Sequence, residues 1–484
     1  MKLLKLINAN LILLCILISS ILSFAQKSPK EKLVYPQLHK IEMPKIENVT
    51  LKNGMRLFLI EDHQYPTVDL RAMIGAGSIY ETNDKIGLAS ITGTVLRTGG
   101  TENIPGDKMD KLLEGLGADI ETYGETNATY AYVSLLKEDI DKGISIFSDL
   151  LMHPALPEDK IALAKIEQKT WISRRNDNIW SITDREFRNL IYGKDHAFSR
   201  YAEYSTINSI TRDDIVAFYK KYYHPNNTIL AAWGDFDVKE LKKKLEDAFS
   251  AWPEEKIDFP AKPQVNYQHK YTVNFIQKND VNQSHIQLGH IGGKLDDPDY
   301  PALLIMNQIL SFDRMFKVLR TKEGLTYAPW GYFGADYDHL GIFNCGTQTK
   351  SSSTVYAVEL LLKEVKRITE EEVTDEELAK AKDSYMNSFV FNFDSKGKIV
   401  ERLMNYAYFN YPLDFIEKTR NGVEKVTKAD ILLAAKKHLQ PDKMQILVVG
   451  NKNDFDKPLS SLGQVNEIDI AIPTENMPEA KKQQ

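Results

Sequence analysis

The sequence predicts an α+β protein made of two homologous domains, each a mixed β-sheet packed against helices. Three observations carry this. The composition is that of a globular chain, with 43% hydrophobic and 26% charged residues in 484. The chain repeats itself: Ile210-Thr211-Arg212-Asp213-Asp214-Ile215 is matched by Val426-Thr427-Lys428-Ala429-Asp430-Ile431. Strand-like and helical runs are also mixed rather than strictly alternating, which suggests layered α+β architecture over βα units.

The repeat runs without gaps. Lys220-Lys221 meets Lys436-Lys437, Pro225 meets Pro441 and Gly234 meets Gly450, every pair 216 positions apart. Upstream, Leu163-Ala164-Lys165 meets Leu378-Ala379-Lys380. Self-similarity on this scale marks two copies of one structural unit. In each copy a Thr caps a helix and an Asp sits at its third position, near the positive end of the helix dipole. The helix stops before the proline. The apolar runs Thr228–Trp233 and Met444–Val449 then read as buried strands.

The first copy opens with Arg56–Ile60 and Thr67–Ile74 around the turn Asp62–Pro66, which reads as a hairpin. Helices are predicted at Gly87–Arg97, Asp107–Leu116, Glu138–Leu151 and Pro157–Asn176, with strands at Ala118–Tyr123 and Ala128–Leu136. Pro253, Pro260 and Pro263 mark a linker. The division is therefore 1–25 signal, 26–44 leader, 45–250 first domain, 251–269 linker, 270–470 second domain and 471–484 flexible tail.

The amino terminus has a charged start (Lys2, Lys5), an apolar run from Leu11 to Leu22 and Ser23-Phe24-Ala25. This is the pattern of a cleavable signal peptide, cut after Ala25, and it predicts export. The apolar run is short for a membrane span, so no stable span is expected after cleavage. Cleavage removes Cys15 and two of the 61 cationic residues, leaving Cys345 alone and shifting the net charge from −6 to −8. A single thiol excludes an internal disulfide. The acidity, without a basic patch, argues against nucleic-acid binding.

Further motifs add a resemblance. Gly77-Ser78-Ile79-Tyr80-Glu81, Gly87-Leu88-Ala89, Gly117-Ala118, Tyr223–Asn227 and Gly234-Asp235 occur in order in the first copy. Asp297-Pro298-Asp299-Tyr300 and Arg320-Thr321-Lys322-Glu323-Gly324-Leu325-Thr326-Tyr327 occur in the second. Together with the duplication, they make the chain resemble the pitrilysin/insulinase family of zinc metallopeptidases, in its two-domain branch. The resemblance implies a metallopeptidase/LuxS-like fold whose domains enclose a cleft.

Active relatives carry His-x-x-Glu-His on the helix opened by Gly87, because histidines four apart share a helix face and reach one zinc ion. The glutamate activates the metal-bound water. Here those positions hold Ser90, Gly93 and Thr94, and Glu167 is the orphan match to the third ligand. Neither His-x-x-Glu-His nor His-Glu-x-x-His occurs anywhere in the chain. This chain is expected to bind no cofactor. His285 and His290 form the closest histidine pair, but odd spacing puts them on opposite faces of a strand. His196, His224 and His438 read as structural.

The second copy keeps an Arg and a Tyr seven positions apart, Arg320 and Tyr327. In active relatives this pair reaches the zinc site, binds substrate carbonyls and stabilises the oxyanion. The glycine-rich turn that usually precedes its helix is replaced by Leu310-Ser311-Phe312-Asp313-Arg314. Of the nearby aromatics, Trp330 and Tyr332 should share one strand face and Phe333 the other.

The resemblance implies a chain inactive alone, supplying Arg320 and Tyr327 to a homologous zinc-bearing subunit that hydrolyses peptides in the periplasm. The alternative is a pseudopeptidase scaffold that only binds peptides or builds structure. An independent hydrolase finds no support, since no Gly-x-Ser-x-Gly elbow, P-loop or Rossmann fingerprint is present.

Overall fold

The computed structural model of the chain describes residues 43–473. The expected signal segment, nearly all of the leader and residues 474–484 of the expected tail lie outside the described residues.

The first half holds β1 (Glu47–Thr50), β2 (Arg56–Glu61), β3 (Thr67–Ile74), β4 (Asp119–Gly124), β5 (Thr129–Leu136) and β6 (Thr228–Gly234). The second holds β7 (Thr272–Gln277), β8 (Gln283–Ile291), β9 (Gly293–Lys294), β10 (Trp330–Phe333), β11 (Ala335–Asp336), β12 (Ile342–Lys350), β13 (Gln445–Gly450) and β14 (Val465–Glu467). Two six-stranded mixed sheets result, ordered β1-β2-β6-β3-β5-β4 and β14-β7-β13-β8-β12-β10. β9 and β11 pair separately. The first-half helices are α1 (Leu88–Gly99), α2 (Gly106–Leu116), α3 (Ile140–Met152), α4 (Glu158–Arg174), α5 (Ile179–Tyr192), α6 (Tyr204–Ser209), α7 (Arg212–Tyr222) and α8 (Val238–Ala248). Those of the second half are α9 (Tyr300–Gln308), α10 (Thr354–Glu370), α11 (Asp375–Ser388), α12 (Lys396–Tyr408), α13 (Phe415–Lys425) and α14 (Lys428–His438).

The two sheets share one register. Arg56 faces Ile229 across the parallel pair β2–β6, and Thr272 faces Gln445 across β7–β13. Leu70 opposes Ala232, and Ile286 opposes Val448. Each residue has its counterpart 216 positions on. The outer edges differ: β1 runs antiparallel to β2, whereas β14 arrives from the carboxyl end and runs parallel to β7.

The hairpin expected from 56–60 and 67–74 does not form, because β6 lies between β2 and β3. The reason is burial. β6 is apolar and buried along most of its length. Such a strand needs a neighbour on both sides, and a local hairpin would have left it at an edge. β13, buried throughout, takes the same place between β7 and β8.

Thr211 and Thr427 cap α7 and α14, each in a reciprocal capping box with Asp214 or Asp430. One face of each sheet packs on its own helices. The other face is covered by a helix of the opposite half. Ile182, Phe187 and Ile191 of α5 lie on Ile276, Leu447 and Val449 of the second sheet. Ile399, Val400, Leu403 and Met404 of α12 lie on Phe58, Ile60, Met73 and Ala231 of the first. The exchange is reciprocal, and both halves belong to one compact unit.

The segment 251–271, which includes the expected linker, has no helix or strand. Ile472, inside the expected tail, packs against the first core.

Candidate functional site

α1 is the helix on which the expected motif would lie. Its Leu88, Ile91, Val95 and Leu96 face the first core, the usual apolar stripe of a docked helix. Gly87 precedes it with φ 107°, a conformation that favours glycine. The buried Glu81 carboxylate then accepts from the Gly87 and Ala89 N–H groups at 3.2 and 2.6 Å. Burial raises its pKa to about 7 despite those bonds. Arg200 locks the same turn, donating to the carbonyls of Ser78 and Glu81.

Ser90 and Thr94 are half-buried on α1. The side chain that reaches Ser90 from α4 is Gln168, whose Nε2 donates to Ser90 Oγ at 2.9 Å. Glu167, the expected orphan match, is exposed on the same helix. Gly93 is pressed against the backbone of β4. A Cβ there would stand 2.3 Å from the Gly124 nitrogen and 2.7 Å from the Tyr123 carbonyl carbon. Thr122 Oγ1 donates to the Gly93 carbonyl at 2.5 Å.

Arg320 and Tyr327 come together. α9 leads directly into a π-helix, Ile309–Lys322, so the glycine-free run Leu310–Arg314 makes no turn. Leu310, Met315 and Leu319 are buried, which holds the widened helix on the second core. Gly324, at φ +64°, reverses the chain, and the Leu325 N–H donates to the Leu319 carbonyl. Arg320 Nη1 donates to the Tyr327 carbonyl at 2.8 Å. Its guanidinium lies 4.8 Å from the Phe316 ring centre and 4.4 Å from that of Tyr327. Two rings thus clamp one cation. Tyr327 is 81% exposed, its phenol presented outward. As expected, Phe333 is buried and Tyr332 exposed.

His285 and His290 sit on opposite faces of β8. His285 is wedged between Trp180 and Trp330, at 4.1 and 5.4 Å, with neither nitrogen hydrogen-bonded. His290 accepts from the Gln440 N–H and packs on Phe343. Burial lowers both pKa values to about 4. Two groupings escaped the sequence reading. Among the described residues, Asp297, Asp299 and His438 converge, as do Asp336, Asp338 and His339. The short spacings Asp-Pro-Asp and Asp-x-Asp-His were the available signal. Both are already knitted by ion pairs, through Lys437 to Asp299 and Lys262 to Asp338.

Comparison with known proteins places this architecture. Residues 56–192 match the profile described as insulinase (peptidase family M16), and residues 209–385 match that described as peptidase M16 inactive domain. The chain belongs to the M16 peptidase family. A Helicobacter pylori protein described as a non-peptidase homolog, YmxG, is 22% identical over 81% of this chain and 91% of its own. The crystal structure of a peptidase M16 inactive domain from Pseudomonas fluorescens superposes with TM-score 0.75 at 24% identity, covering 86% of this chain and 99% of that one. The periplasmic protease PqqL from Escherichia coli gives TM-score 0.73 at 16% identity, covering 87% of this chain and 50% of that one.

The family's zinc ion does not fit α1 of this member. Ser90, Gly93 and Thr94 offer neither imidazole nor carboxylate, and the closed contact at Gly93 leaves no space for a side chain. The fold is that of the M16 peptidases, and the expected ligand positions on α1 hold no metal-ligating side chain.

Proposed function

We propose that this protein is the non-catalytic subunit of an exported, periplasmic heterodimeric peptidase. It supplies Arg320 and Tyr327 to a homologous partner that carries His-x-x-Glu-His and the zinc ion. The Arg320–Tyr327 pair carries the reading. It is held in a fixed, ring-clamped geometry in the half that keeps its motif, while α1 in the other half has no ligand. A preorganised guanidinium and an exposed phenol are donors suited to a substrate carbonyl and to a developing oxyanion. In this role Arg320 holds the peptide and Tyr327 faces the oxygen that gains charge.

The edge position of β4 supports the peptide part of the reading, although Arg97 Nε already donates to its Ile120 carbonyl. β4 is the outermost strand of its sheet, with Asp119, Glu121 and Tyr123 exposed, and an extended chain can add there by backbone pairing. The signal pattern at 1–25 supports export.

Reconstitution with a zinc-bearing homologue tests this. Arg320→Ala should abolish peptide hydrolysis while the complex still forms. Unchanged hydrolysis would assign the chain a scaffold role instead.

A further inference from the structure

Beside the Arg320 clamp, between the π-helix and α11, lies a cavity of about 560 Å³. Its aromatic wall is Phe312 and Phe316, with Ala381 opposite. Phe316 is the same ring that clamps Arg320, so the cavity and the guanidinium stand one side chain apart. Phe312 is 58% exposed at the rim, where its ring is open to an incoming apolar group.

The polar groups of the cavity are unevenly signed. Lys317 and Lys380 both reach the buried Asp313, at 3.2 and 2.6 Å. Two cations against one carboxylate leave a surplus positive charge at the mouth, where both lysines stay mostly in water. Thr321 adds a hydroxyl.

We infer that this cavity is a side-chain subsite for peptides that carry a large apolar residue next to a carboxylate. The apolar side chain fills the wall between Phe312 and Ala381, and the carboxylate meets the lysine pair. The inference rests on the proposed peptide-handling role and names the peptide class. An extended peptide seated here passes Arg320 with its backbone, because the subsite and the guanidinium share Phe316.

Binding to the full-length chain alone tests it, with no partner present. The probe is a fluorescein-labelled hexapeptide with adjacent Phe and Asp, followed by fluorescence polarisation. Saturable binding is expected, weakened about tenfold when Lys replaces Asp in the probe. Phe312→Ser, at an exposed position, should weaken it about tenfold as well, through lost apolar contact. Lys380→Gln leaves Lys317 on Asp313 and should cost about threefold while flattening the salt dependence. Equal binding of the acidic and basic probes, or binding untouched by both variants, would overturn the assignment. Failure here leaves Arg320 unaffected, since hydrolysis by the reconstituted pair is read separately.

Discussion

Gly93 of α1 and Gly124 of β4 are in direct backbone contact: a Cβ on Gly93 would stand 2.3 Å from the Gly124 nitrogen, and one on Gly124 would stand 2.3 Å from the Ala89 carbonyl oxygen. The two glycines let helix and strand close on each other by about the width of a methyl group. The position expected from the resemblance to carry the catalytic base is therefore packed against backbone. Gly93→Ala should destabilise the protein by about 1–3 kcal/mol, the usual cost of overpacking, measured by denaturant unfolding. The triple change Ser90→His, Gly93→Glu, Thr94→His should fail to take up a molar equivalent of zinc in elemental analysis. Stoichiometric uptake would show that the contact yields.

How much of this was legible follows from the range of each interaction. The caps at Thr211 and Thr427 were readable because capping is local. The place of β6 between β2 and β3 was not, since it is set by pairing with strands more than 150 residues earlier in the chain. α5 and α12 were not singled out in the sequence, and amphipathicity does not say which sheet a helix covers, so their exchange was invisible. The Gln168–Ser90 hydrogen bond was not legible either, since it joins two helices 78 positions apart. Arg320 and Tyr327 were singled out by the resemblance and their flanking residues, whereas the Phe316 clamp needed the π-helix.

Trp180 ties the halves together through His285. Its ring lies 4.1 Å from the His285 ring, and its Nε1 donates to Gln348 Oε1 at 2.7 Å. Trp180→Ala should cost about 1–3 kcal/mol, since the ring is only partly buried. It should also admit water to His285, whose pKa is held at about 4 by burial alone, and let it rise towards 6.5. Histidine NMR titration of wild type and variant checks the shift. An unmoved resonance would mean that Trp330 suffices to keep the site dry.

Glu81 makes the start of α1 sensitive to pH. Its folded pKa of about 7 lies above the ordinary 4.5, so the folded state favours the protonated acid. Its stabilising contribution is complete below pH 4.5 and is lost as pH rises towards 7. The slope is at most about 1.4 kcal/mol per pH unit. Glu81→Gln should flatten this part of the stability profile, read by urea unfolding at several pH values. His285 acts in the opposite sense, since its depressed pKa removes stability as pH falls below 6.5, so the Glu81 contribution is best isolated by comparing the two glutamate/glutamine proteins pairwise.

The exchanged helices predict how the whole chain unfolds. Without α12, the face formed by Phe58, Ile60, Met73 and Ala231 would be bare, and without α5 the face formed by Ile276, Leu447 and Val449 would be bare. Each half therefore depends on the other for half of its sheet burial. Phe187→Ala on α5 removes a fully buried ring and should cost about 3–5 kcal/mol. Leu403→Ala on α12 should cost about 2–5 kcal/mol. Although each substitution strips contacts from one sheet, both should lower a single transition, because the lost burial is shared. Differential scanning calorimetry decides it, with calorimetric and van't Hoff enthalpies equal for a single cooperative unit. Two resolved transitions, with Phe187→Ala moving only the one that belongs to the second sheet, would mean that the halves fold independently and the exchange is merely a docking contact.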